Sequence, residues 1–150
     1  MSKSIAIDMG KKRIGLAIAD NTLNIPIPYE TIFVNFNEFD KELINFDNDD
    51  TAKIVTTITD IFESENITRV FFGLPLSLDG EEGISCQNVR NFCKVLIASS
   101  DMEHYFIDER FTTSAAITDL KTHMNSKKQK NVVDQVAALK ILETALSIYN

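Results

Sequence analysis

The chain is short of the residues that build disulfide and zinc frameworks: 150 positions hold two cysteines and two histidines. Cys86 and Cys93 lie seven apart, which on a helix sets both on one face. Neither has a second cysteine pair or a histidine beside it, so they read as reduced packing residues. His104 and His123 stand alone, which leaves zinc without a ligand set. No apolar stretch approaches the roughly 18 residues of a membrane span, and no charged-then-apolar leader opens the sequence, so a cytoplasmic protein is expected. Low-complexity tracts are missing too, and 44% hydrophobic with 25% charged residues is the balance of a folded chain. The length suits one domain over residues 1–150 with a sizeable core.

What is present is unevenly distributed. Net charge is −7, and residues 35–66 account for all of it, with nine acids against Lys41 and Lys53. The remainder is balanced, and its bases gather at Lys11-Lys12-Arg13 and Lys127-Lys128-Gln129-Lys130. A solvated acidic stretch beside local basic patches is compatible with a nucleic-acid enzyme. The five glycines also fall in two places, Gly10 and Gly15 around the first turn and Gly73, Gly80 and Gly83 in "FFGLPLSLDGEEG". Glycine in such clusters points to positive φ or to close approach of another group.

Periodicity orders the elements. Residues 4–8 and 13–19 alternate or run apolar and predict a hairpin turning at Gly10. A third strand is predicted near 31–36, after an extended segment holding Pro26 and Pro28. Asp50 or Thr51 caps a predicted helix carrying Ile54, Ile58, Ile61 and Phe62 and ending near Asn66. A short buried strand at 69–72, a helix over 83–98 and a strand at 104–108 follow. Thr112 or Thr113 opens a helix to about His123, then comes a basic loop, and Asn131 opens a last helix to about Ile148. The order βββαβαβαα implies an α/β fold with a five-stranded mixed sheet, antiparallel strands first and parallel strands after, and helices on both faces.

Three carboxylates stand in apolar company at the ends of these elements. Asp8 closes "IAID" on the alternating face of Ala6. Glu109 follows "HYFID" on the face of Tyr105 and Ile107. Asp134 precedes Ala138, Ile141, Ala145 and Ile148 at helical steps, and Ala137 and Ala138 would let that helix approach the sheet. Each has a plainer reading: a turn acceptor for Asp8, an ion pair for Glu109, a first-turn acid answering the helix dipole for Asp134. Gathered together, the three would repel unless divalent cations held them, and magnesium suits such oxygen donors.

The stretches "IDMGKKRIGLAIAD", "GLPLSLDGEEG", "DERFTTSAA" and "KNVVDQVAALKIL" resemble, in order, the signature blocks of the YqgF/RuvX family, whose members carry the names pre-16S rRNA nuclease and Holliday junction resolvase. The resemblance spans residue 7 to about 142. It implies a ribonuclease H-like fold, a cytoplasmic bacterial protein, and a catalytic and metal-binding trio at Asp8, Glu109 and Asp134. The segment "NFDNDD" at 45–50 has no counterpart in those blocks and lengthens the approach to the first helix.

The expected chemistry is hydrolysis of a phosphodiester with two magnesium or manganese ions held by the trio. Lys12, Arg13, Arg90, Arg110, Lys127, Lys128 and Lys130 are the candidate phosphate contacts, with solvated surface as the plainer reading. Gly10, Gly15, Gly73, Gly80 and Gly83 are expected to shape the loops around the site. The implied partners are precursor rRNA or branched DNA and the ribosome, with monomer and homodimer both open and no membrane. Two other classes compete. The Asp-Gly-basic-Gly turn resembles the phosphate loop of actin-like ATPases, which close two such domains where this chain has room for one. A nonenzymatic ribosome-assembly binder would carry the same fold and acids without turnover.

Overall fold

Strict alternation in the first two apolar runs builds the hairpin on which the sheet grows. The computed structural model describes residues 1–98, 100–111 and 126–149, giving Phe111 and residues 126–135 by backbone alone. In it β1 (Lys3–Met9) pairs antiparallel with β2 (Arg13–Asp20), and β2 pairs antiparallel with β3 (Pro26–Phe33). On its other side β1 runs parallel to β4 (Ile67–Leu74), and β4 runs parallel to β5 (Glu103–Asp108). The order β3-β2-β1-β4-β5 is the expected five-stranded mixed sheet.

The third strand differs from expectation, because it is the proline segment itself. Pro26 pairs with Ala19 and Pro28 with Ala17, beside a register shift between Leu16 and Ala17. Proline lacks an N–H, and a sheet tolerates it at an edge or beside a bulge, which is where β3 lies.

Helices cover both faces. One face presents Ile5, Ile7, Met9, Ile14, Leu16, Ile18, Val70 and Phe72 to α1 (Asp49–Ser64) and α2 (Ile84–Ile97). The cap of α1 is Asn48, upstream of the predicted Asp50 or Thr51; its side chain accepts from the Thr51 N–H at 2.9 Å. Both cysteines are buried free thiols in α2, as expected, and burial pushes Cys93 up to about 11.

The opposite face presents small side chains, Ala6, Ala17 and Ala19, with Phe71 and Ile107. Onto it packs α3 (Ser126–Tyr149) through Ala138, Ile141, Leu142, Ala145 and Leu146. This is the predicted stripe with one change at its end, since Ile148 is 61% exposed and Leu142 and Leu146 are buried instead. The helix begins at Ser126 rather than Asn131, so Lys127, Lys128 and Lys130 belong to its first turns and not to a loop. The helix predicted from Thr112 or Thr113 to His123 lies outside the described residues. Among the described residues no helix is long and apolar enough to cross a membrane.

Candidate active site

Parallel strands β1, β4 and β5 end on the same side of the sheet, and a ligand site forms in such a sheet where carboxyl ends gather. Asp8 stands at the end of β1, on the alanine face with Ala6, and its cross-strand partner Gly15 contributes no side chain. Glu109 opens the 3-10 turn Glu109–Phe111 that follows β5. Although the strand stops at Asp108, the Glu109 side chain stays on the predicted face and lies over Gly73, beside Ile141 of α3. It hydrogen-bonds Asp8.

Two of the three predicted acids are therefore brought together. Burial pushes the Glu109 carboxyl above its ordinary range, the hydrogen bond with Asp8 draws it down, and the charge of Asp108 raises it further. Adjacent carboxylates in a partly buried site must share a proton or hold a cation between them. Their donors are all oxygen, which suits a hard divalent ion such as magnesium or manganese. The third predicted acid, Asp134, falls in α3 four residues before the buried Ala138, and its side chain lies outside the described residues. The same holds for the side chains of Lys127, Lys128 and Lys130 and for Thr112 and Thr113.

Gly73 explains itself by close approach. It lies inside β4 rather than in a loop, and a Cβ there would overlap the Glu109 carboxylate and come within 2.5 Å of Ile141 Cδ1. Gly80 is the one predicted loop glycine with positive φ, at +86°. Gly10 makes the predicted turn, donating its N–H to the Arg13 carbonyl at 2.9 Å, and Gly83 caps α2 in open space, whereas Gly15 is a strand residue.

The predicted basic residues whose side chains are described are engaged within the protein. Arg110 forks onto Asp108, with Nε at 3.0 Å and Nη2 at 2.7 Å from Oδ2, and its Nη1 donates to the Leu78 carbonyl at 3.2 Å. Hydrogen bonding to Arg110 holds the Asp108 carboxyl below the usual carboxylate range. Sequence reasoning passed over Asp108, although "DER" sets two acids before one arginine and strand alternation sends them to opposite faces. Arg90 forks onto Glu82 at 2.6 and 2.8 Å and lies 4.6 Å above the Phe106 ring. Phe106 packs with the α1–α2 core, so Arg90 is on the face opposite Asp8 and Glu109. Arg13 lies 5.4 Å from the Phe33 ring centre. Lys12 donates to Asn37, and Lys11 pairs with Asp40 at 3.1 Å, so the acidic segment after β3 answers the first basic cluster.

Comparison with known proteins places the chain in a family. The family model RuvX, described as Holliday junction resolvase, matches residues 2–148. A protein of Maridesulfovibrio salexigens named "Putative pre-16S rRNA nuclease" is 33% identical over 146 residues, covering 97% of this chain and 98% of its own. A relative of the same name from a Sulfurihydrogenibium species is 35% identical over 149 residues, covering 97% and 90%. Among solved structures, Thermus thermophilus RuvC in complex with a Holliday junction aligns with a TM-score of 0.59 at 9% identity, over 99% of this chain and 97% of that one. The fowlpox virus Holliday junction resolvase aligns at 0.56 with 14% identity, over 99% of both. At such identities the likeness is one of fold, and it is the ribonuclease H-like fold that the sequence implied. Carried by a match that runs from residue 2 to residue 148, the chain belongs to the RuvX family, also called YqgF.

Proposed function

We propose that this protein is a metal-dependent nuclease that hydrolyses phosphodiester bonds in structured nucleic acid, with the 5′ end of precursor 16S rRNA as its substrate. The observation that carries the reading is the hydrogen-bonded pair of Asp8 and Glu109 at the carboxyl ends of parallel strands, under the helix that carries Asp134. The names of the relatives support the RNA substrate. Work on precursor rRNA would set the protein beside the assembling ribosome in the cytoplasm.

Asp8, Glu109 and Asp134 are the residues assigned to hold magnesium or manganese, two ions in the simplest case. Such ions would supply Lewis acidity for water activation and for the departing oxygen. The chain's own contribution is placement. Gly73 leaves the space that Glu109 fills, and Ile141 packs beside that carboxylate. Arg110 ties the Asp108 carboxylate, at the end of β5, to the Leu78 carbonyl of the loop after β4. Lys127, Lys128 and Lys130 are assigned to phosphates, with Lys12, Arg13 and Arg110 reaching them only by exchanging present partners, while Arg90 stands on the opposite face of the sheet. If they do, log affinity should fall with log salt by about 0.7 to 0.9 per phosphate neutralised.

A second reading keeps the chemistry and changes the substrate to branched DNA; the family description and the resolvase fold neighbours favour it. One experiment separates the readings. Wild type, Asp8→Asn and Asp134→Asn are compared on single-stranded RNA, precursor rRNA and four-way DNA junctions, with magnesium, manganese or chelator. Metal-dependent cleavage of precursor rRNA by wild type alone, with binding retained in both variants, is the expected result. Cleavage confined to junctions moves the substrate to DNA, and equal trace activity in all three proteins reduces the protein to a binder.

A further inference from the structure

Strand β5 ends at Asp108, so Glu109 reaches over Gly73 from a short 3-10 turn and not from a strand. A turn of that length has no ladder of backbone bonds to fix the direction of a side chain. It is closed instead by the residues on either side of Glu109. Arg110 N–H donates to Asp108 Oδ1 at 2.9 Å, and the guanidinium grips the same carboxylate, with Nε 3.1 Å from Oδ1 and Nη2 2.7 Å from Oδ2. The Glu109 backbone is thereby the middle of a closed ring. The loop after β4 pins that ring from outside. Arg110 Nη1 donates to the Leu78 carbonyl at 3.2 Å, and a Cβ on Gly80, at φ +86°, would stand 3.3 Å from the same nitrogen. Gly80 N–H donates in turn to the Ser77 carbonyl at 2.8 Å, so the loop is itself closed.

We propose that Arg110 is a positioning residue for Glu109: by closing the ring with Asp108 and bracing it against the Gly80 turn, it holds the Glu109 carboxylate in place to share a divalent cation with Asp8. The proposal rests on the metal-dependent reading of the site. A guanidinium forked onto one carboxylate uses its planar donors for geometry, which a lysine ammonium cannot reproduce. As a bare positive charge next to a cation site, Arg110 opposes metal binding. Any gain from it therefore comes through the geometry it fixes. That role also differs from phosphate contact, where a lysine serves as a point charge.

The test reads cation binding directly, by titrating the full-length protein with Mn2+ alone under electron paramagnetic resonance, with folding checked by circular dichroism. Charge by itself predicts that Arg110→Ala tightens Mn2+ binding; positioning predicts a loss of about tenfold or more. Arg110→Lys keeps the charge and loses the fork, so it should fail to rescue. Gly80→Ala changes no charge, strains the turn and crowds the guanidinium, so it should weaken Mn2+ binding in the same direction. A purely structural arginine would lower stability in urea and leave the affinity of the folded protein unchanged. Wild-type Mn2+ affinity in folded Arg110→Lys therefore overturns the proposal, and where neither arginine variant folds, wild-type affinity in Gly80→Ala does so. The nuclease reading fails separately: a wild type that binds Mn2+ through Arg110 placement yet cuts neither precursor rRNA nor four-way junctions loses that reading alone. A wild type that binds no Mn2+ overturns both.

Discussion

Gly73 makes the strongest demand of any single position, because what stands over it is the carboxylate of Glu109 and the methyl end of Ile141. Gly73→Ala should therefore cost about 1–3 kcal/mol, the usual toll of overpacking, read from urea denaturation. Cleavage should fall further than that loss explains, since the group pushed aside is Glu109. Removing Ile141 Cδ1 with Ile141→Val gives the new methyl room on one side. The double variant should then recover part of the stability that the two single changes predict when added. Asp8 and Glu109 were legible in the sequence because strand alternation is local and fixes a face. Gly73 was legible only in part: its cluster pointed to positive φ or to close approach, but the groups that approach it arrive from the turn after β5 and from α3. Asp108 was missed for a related reason: its importance lies in the Arg110 fork and not in its own strand.

Elements were legible where their periodicity was strong and mislocated where chemistry at an end decides. The apolar steps of α1 were read correctly, yet its start was set at Asp50 or Thr51 when Asn48 caps it. The signal was available in "NFDNDD", where asparagine stands before a run of acids suited to a first turn. Asn48→Ala should cost about 1 kcal/mol, measured by denaturation, with the loss local to α1 in hydrogen exchange. The start of α3 was placed five residues late because Lys127, Lys128 and Lys130 looked like solvent-facing loop; lysine is a good helix former, and composition cannot distinguish the two. For β3, the proline segment was read as an extended lead-in to a strand at 31–36, and only the sheet order shows that it is itself an edge strand, where prolines are tolerated.

Across the whole molecule, the two ends of the sheet divide the work. The carboxyl ends of the parallel strands gather the acids, and the amino ends carry a polar clasp. Arg69 Nε donates to the buried Ser4 Oγ at 2.9 Å, its Nη1 donates to the Tyr149 carbonyl at 3.1 Å, and its guanidinium lies 5.1 Å from the Phe71 ring centre. Tyr149 in turn stacks on Tyr105 at 4.0 Å. The clasp fixes the far end of α3, the helix whose near end bears Asp134. Arg69→Ala should cost about 1–3 kcal/mol by loss of charged hydrogen bonds, and should raise the metal concentration needed for half-maximal cleavage, measured by titration at constant substrate. None of this was legible from Arg69, Ser4 and Tyr149 taken singly, since no spacing rule joins the two termini of a chain. The opposite margin of the sheet has its own consequence. Ile25 and Ile27 are more than half exposed along it, which in an ordinary strand would invite a neighbouring molecule to zip on. Pro26 and Pro28 interrupt the row of donors that such a zipper needs, so crowding this protein should not seed fibres from its greasy rim.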